Sequence, residues 1–242
     1  PRLIRGEKGR VTPAGLTQAI RPANIHFPAP TLLCLENTHN RAGGTVTSPG
    51  DMQAVISVAR ENGLAVHLDG ARVFNAATAL GVPVSELVNW CDSVMFCLSK
   101  GLGAPVGSML VGSTGFIQRA RKWRKMLGGG MRQAGVIAAA GVIALNSMID
   151  RLKEDHANAR FLAEGLAEIK GFSLDLASVQ TNMVVVNLAE SLGGAQAFLA
   201  KLAGMGVMGV DVGPHAIRFV THKDVGKAEI EQALAIISRS VI

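Results

Sequence analysis

Charged residues make up only 17% of this sequence, aromatics 4%, and tyrosine is absent altogether. Each shortage excludes something. So few aromatic rings cannot supply the stacking platforms of single-strand nucleic-acid binding, and the net charge of +6 is spread along the chain. One local cluster, Arg119, Arg121, Lys122, Arg124 and Lys125, falls in a helical pattern and reads as a solvated face. No nucleic-acid partner is expected. The three cysteines, Cys34, Cys91 and Cys97, have no metal-ligand spacing and read as reduced structural thiols, so no metal is expected. The longest apolar stretch, residues 136–145, stops well short of the roughly 18 residues a membrane span needs. The basic opening, residues 1–10, has no apolar segment behind it, so neither a membrane segment nor a signal peptide is expected and the cytoplasm is the default location.

What remains is a chain of 242 residues, 48% hydrophobic, long enough to bury a substantial core. Short apolar runs, each followed by a turn and a helical pattern, predict an α/β fold with a mostly parallel sheet. Strands are expected at residues 31–36, 65–68, 93–97 and 108–111. Between the first two, residues 49–62 read as a helix with Ser48 as N-cap. Helical patterns cover 115–127 and 131–165, the second read as one long helix that could bridge two domains. Beyond Gly171 a smaller α/β set follows, with strands near 182–188, 207–212 and 217–221 and helices near 194–204 and 224–239. The domains are therefore expected at 1–150 and 151–242.

Two segments carry chemistry. In Leu64-Ala65-Val66-His67-Leu68-Asp69-Gly70-Ala71-Arg72 an apolar strand ends in a carboxylate, and in Ser93-Val94-Met95-Phe96-Cys97-Leu98-Ser99-Lys100-Gly101 another ends in an amine. Ligands of parallel sheets sit beyond the carboxyl ends of the strands, which puts Asp69, Arg72 and Lys100 at one edge. Alone, such an aspartate is commonly a cap and such a lysine a solvated charge. Together they supply what pyridoxal phosphate needs, an anion for the pyridine nitrogen and an amine to join the aldehyde. Apolar strands and a nearby Arg72 would disfavour the ammonium form of Lys100.

These residues, with Leu35-Glu36-Asn37-Thr38-His39-Asn40, Ser99-Lys100-Gly101-Leu102-Gly103-Ala104-Pro105 and Arg124-Lys125-Met126-Leu127-Gly128-Gly129-Gly130-Met131-Arg132-Gln133, resemble the low-specificity L-threonine aldolases in order and spacing. The resemblance implies a fold-type I pyridoxal-phosphate enzyme with a large domain and a small C-terminal one. It implies Asp69 at the pyridine nitrogen, Lys100 as the amine that holds the cofactor, and Arg72 and Arg218 on the substrate carboxylate. His26 matches a family histidine near the substrate side chain, with a structural loop histidine as the alternative. Lys125 and Arg132 match positions that approach the cofactor phosphate or the active site, from the same or a neighbouring subunit, although Lys125 taken alone reads as a solvated lysine. The activity implied is cleavage of L-threonine or L-allo-threonine to glycine and an aldehyde, in a homodimer or homotetramer. Alternatives are a fragment that is inactive or needs a partner, and transamination or β-elimination on the same fold. Members of the family carry a further N-terminal segment, about a third of the enzyme, bearing a Gly-Thr phosphate loop and a ring stacked on the pyridine; neither is found in this sequence.

Overall fold

A computed structural model describes residues 1–22 and 24–241. The chain divides into two compact units, one of Pro1–His39 with Val46–Ile149 and one of Asn40–Thr45 with Asp150–Ile242.

The first unit is built on a four-stranded sheet in the order β1 (Leu32–Glu36), β2 (Ala65–Asp69), β3 (Ser93–Cys97), β4 (Ser108–Gly112). β1, β2 and β3 run parallel, and β4 returns antiparallel to β3. That direction follows from the connections: β1 and β2 are joined by a helix, whereas β3 and β4 are joined by a loop too short for a crossover. The joining helix is α2 (Pro49–Glu61), which follows α1 (Pro13–Ala19). It starts where the sequence signals a start, with Ser48 Oγ accepting the Asp51 N–H at 3.1 Å and Pro49 in the first turn. Met52, Val55, Ile56 and Ala59 form its buried stripe at helical spacing and face Val66 and Leu68, which are fully buried on β2. Each of those strand side chains contributes roughly 1.5–3 kcal/mol by leaving water. Arg60, at the end of α2, donates to Asp92 Oδ2 at 2.7 Å, and the same oxygen accepts the Val66 N–H at 2.6 Å. This brace fixes the entry to β3, and the Arg60 guanidinium holds the Asp92 carboxyl below its usual range.

After β2 come α3 (Val73–Leu80) and α4 (Val84–Val88), and after β4 come α5 (Thr114–Met126) and α6 (Gly135–Ser147). The single long helix expected over 131–165 is two. α6 ends at Ser147 and α7 starts at Leu152, in the second unit. Residues 148–151 contain neither glycine nor proline, so propensity gives no sign of the break. It is stabilised from outside that pattern: Arg151 precedes α7 and pairs with Asp155 at 2.8 Å, one turn in.

The second unit is an antiparallel sheet in the order β5 (Phe172–Ser173), β6 (Met183–Leu188), β8 (Ala216–Val220), β7 (Val210–Gly213). Its core joins Val184, Val186, Ile217 and Phe219 to α7 (Leu152–Ala167), α8 (Ala195–Ala203) and α9 (Lys227–Ser240). The other sheet face, by strand alternation, carries Val185, Arg218 and Val210, which are register partners.

Among the described residues, no single helix is long and apolar enough to cross a membrane, and no group of three or more metal-ligating side chains gathers. Cys34 is exposed, and Cys91 and Cys97 are half-buried, all three unpaired. Burial pushes the Cys91 thiol up to about 11, consistent with an inert structural role.

Candidate active site

Asp69 is the last residue of β2, and Lys100 lies three residues beyond the end of β3. Since β2 and β3 are adjacent and parallel, both side chains issue from one edge of the sheet. The turn after β2 is tightly held: the Gly70 N–H donates to Met95 O on β3 at 2.8 Å, and the Val73 N–H to Gly70 O at 2.8 Å. A Cβ on Gly70 would stand 2.9 Å from that Met95 oxygen and 3.1 Å from Val73 Cβ, so only glycine allows so close an approach. One oxygen of the Asp69 carboxylate accepts the Ala71 N–H at 3.0 Å, and the side chain remains exposed. The aspartate is thus a turn cap and an accessible anion at once. Arg72 is half-buried where α3 begins.

The loop from Leu98 to Gly107 is closed by its own backbone. The Leu98 N–H donates to Gly107 O at 2.9 Å, Ala104 to Leu98 O at 3.0 Å and Gly103 to Lys100 O at 2.8 Å. Lys100 therefore sits on a hydrogen-bonded turn with its side chain in solvent. This corrects one expectation: the Lys100 side chain is exposed and not enclosed by the apolar strands.

A groove of about 930 Å³ runs along the outer edge of β1 and is lined by Cys34, Glu36, Asn37, His39, Asp51 and Asp69, among others. It reaches the candidate site at Asp69, and Lys100 is not part of its lining. Glu36 is the register partner of Asp69, and His39 Nε2 stands 3.6 Å from Glu36 Oε2. This second acid beside Asp69 follows from strand pairing, which a single sequence does not reveal.

The other residues singled out from sequence lie elsewhere. His26 is exposed in a tight bend between Asn24 and Phe27, its N–H donating to Asn24 Oδ1 at 2.8 Å. Lys125 is exposed in the last turn of α5, and Arg132 is exposed in the connection to α6. Among the described residues, none of these three makes a hydrogen bond or ion pair to Asp69 or Lys100. Arg218, in the second unit, is half-buried on β8, and its Nη1 donates to Asn40 Oδ1 at 2.9 Å.

The β-eliminating lyase family matches residues 1–189. A low-specificity L-threonine aldolase of Arabidopsis thaliana is 39% identical over 246 residues, covering 100% of this chain and 69% of the relative. The chain belongs to the low-specificity L-threonine aldolase family. The Escherichia coli enzyme of that name is 43% identical over 216 residues, covering 89% of this chain and 62% of the relative. This family member thus spans about two thirds of the length of its curated relatives. In structure it superposes on the threonine aldolase of Leishmania major with a TM-score of 0.80 at 20% identity, over 97% of this chain and 68% of that one, which shows the shared α/β fold.

Proposed function

We propose that this chain cleaves L-threonine and L-allo-threonine to glycine and acetaldehyde with pyridoxal phosphate as cofactor. The observation that carries the reading is the placing of Asp69 and Lys100 at the carboxyl ends of adjacent parallel strands, in a chain of this family. The residues present fit the pyridine end of the cofactor. Asp69 offers an accessible carboxylate already fixed at one oxygen, and Lys100 an exposed amine on a rigid turn.

Bound there, the cofactor would supply a sink for the electron pair released when the Cα–Cβ bond breaks. Asp69 would keep the pyridine nitrogen protonated. Lys100 would hold the cofactor through its amine, give way to the substrate amino group and return at the end of the cycle. The resemblance assigns the substrate carboxylate to Arg72 and to Arg218, each a planar donor fork suited to it. His26, as the family histidine, would accept the Cβ hydroxyl proton. Lys125 and Arg132 are assigned to the cofactor's surroundings on the same ground, and a homodimer or homotetramer is the assembly we infer.

The test is to add pyridoxal phosphate and follow the visible absorbance, then reduce with borohydride and map the modified residue. A band that borohydride fixes on Lys100, together with acetaldehyde release from threonine, is the expected result. A Lys100→Ala chain that kept the same band would remove the basis of the assignment.

A further inference from the structure

Arg218 is anchored in an unusual way. Among the described residues its one hydrogen bond is Nη1 to Asn40 Oδ1, at 2.9 Å, across 178 positions of sequence. Its Nε is buried and has no partner. Nη1 and Nε lie on opposite sides of a guanidinium, so a bond at Nη1 leaves the Nε and Nη2 edge as one intact two-pronged donor. On the sheet, Arg218 stands between Val185 of β6 and Val210 of β7, with no acid among its register partners.

The segment that brings Asn40 to this place, Asn40–Thr45, packs with the second unit. Its approach depends on two glycines with positive φ, Gly43 at 78° and Gly44 at 80°. A Cβ on Gly43 would stand 3.2 Å from Val185 Cγ2, and one on Gly44 2.5 Å from Thr181 Oγ1. Thr181 Oγ1 donates to Gly44 O at 2.9 Å, in a buried bond. The Gly43 N–H donates to Asn40 O at 3.2 Å and closes the turn that aims the asparagine. The segment is therefore held against β6 by a close glycine approach and a buried hydrogen bond.

From this we propose that Asn40 is a positioning residue for Arg218. It engages Nη1 with a neutral acceptor, which orients the guanidinium without cancelling its charge, and so presents the Nε and Nη2 edge to the carboxylate of the amino-acid substrate. An acid in place of Asn40 would orient the arginine equally well and weaken it as an anion receptor. The inference rests on the proposed reading of Arg218 as the carboxylate ligand, and its test separates the two.

Heteronuclear NMR of the nitrogen-labelled full chain, with the Arg218 Nε–H resonance assigned through Arg218→Lys, reads the orientation directly. In the wild type that resonance is sharp, slow to exchange and moved by glycine, the probe carboxylate, with or without added pyridoxal phosphate. Asn40→Ala should broaden it and weaken the glycine response roughly 10- to 100-fold, the scale of a hydrogen bond to a charged group. Asn40→Asp should keep the resonance sharp yet still weaken the glycine response, and it carries the test if the alanine variant fails to fold. Thr181→Val, which removes the bond to Gly44, should lower Tm without abolishing the glycine response, a split that a merely structural role for Asn40 would not give. In steady-state assays Asn40→Ala should raise KM for threonine far more than it changes kcat. An Arg218 resonance as sharp and as responsive in Asn40→Ala as in the wild type would overturn the proposal. So would a wild-type resonance that glycine leaves unmoved. An absence of threonine cleavage beside an intact Asn40 dependence would instead overturn only the assigned reaction.

Discussion

The His156 imidazole lies half-buried on α7, and burial pushes its pKa down from 6.5 to about 4. An unfolded chain binds this proton near pH ~6.5, whereas the folded one resists until the pH is far lower. Between those values the unfolded state holds more protons, so stability falls as pH falls. The group therefore costs nothing above about pH 6.5, and its penalty grows down to about pH 4, reaching at most ~3 kcal/mol and less because the ring is partly solvated. Chemical unfolding followed across this window should show the loss, and His156→Gln should flatten it. An identical slope in the variant would assign the acid sensitivity to other groups. Burial also pushes the neighbouring Asp155 carboxyl up, with the Arg151 pair opposing that rise.

At the scale of the element, the turn between β2 and α3 is the piece on which the proposed site depends. Gly70→Ala would drive a Cβ against Met95 O and Val73 Cβ. The expected cost is about 1–3 kcal/mol, the range for overpacking, with Asp69 displaced from the edge it shares with Lys100. Denaturant unfolding checks the first part, and a weaker affinity for pyridoxal phosphate, read by its visible absorbance, checks the second. An unchanged affinity would show that Asp69 does not depend on this turn. The strand ends here were legible in sequence because apolar runs stop abruptly at Asp69 and, after Leu98, at Ser99 and Lys100, and Ser48 before Pro49 announced α2. Less local features were not. The reversal of β4 is set by the length of a loop, the gap after α6 has no breaking residue, and α1, α3 and α4 are too short to show a periodic stripe. The Arg60–Asp92 brace and the Arg218–Asn40 bond join residues 32 and 178 positions apart, beyond the reach of any sequence window. Both candidate acids of the site illustrate the same limit: Asp69 ends a recognisable run, while Glu36 becomes its neighbour only through register.

For the whole molecule, the feature to explain is α6. It carries no charged residue and is apolar on every side, yet only Gly141 and Ala144 are buried. Val136 is 88% exposed and Ile143 62%. A helix with that composition ordinarily lies inside a protein. α5 buries none of its residues, and β4 leaves Met109, Leu110 and Val111 exposed on an edge strand. So much apolar surface in water favours association, and an open strand edge adds unpaired backbone donors and acceptors to it. The basic residues of α5 resist a partner that brings the same helix face to face, which leaves α6 and β4 as the surfaces to be covered. We therefore expect sedimentation equilibrium to give a mass above the 25.3 kDa of one chain. Replacing Val142→Lys and Ile143→Glu together should return the mass toward one chain while leaving the circular dichroism unchanged, because both side chains are more than half exposed. A mass unaffected by that pair would mean that α6 is not the contact, and the outer edge of β4 would then be the surface to block, by Leu110→Pro.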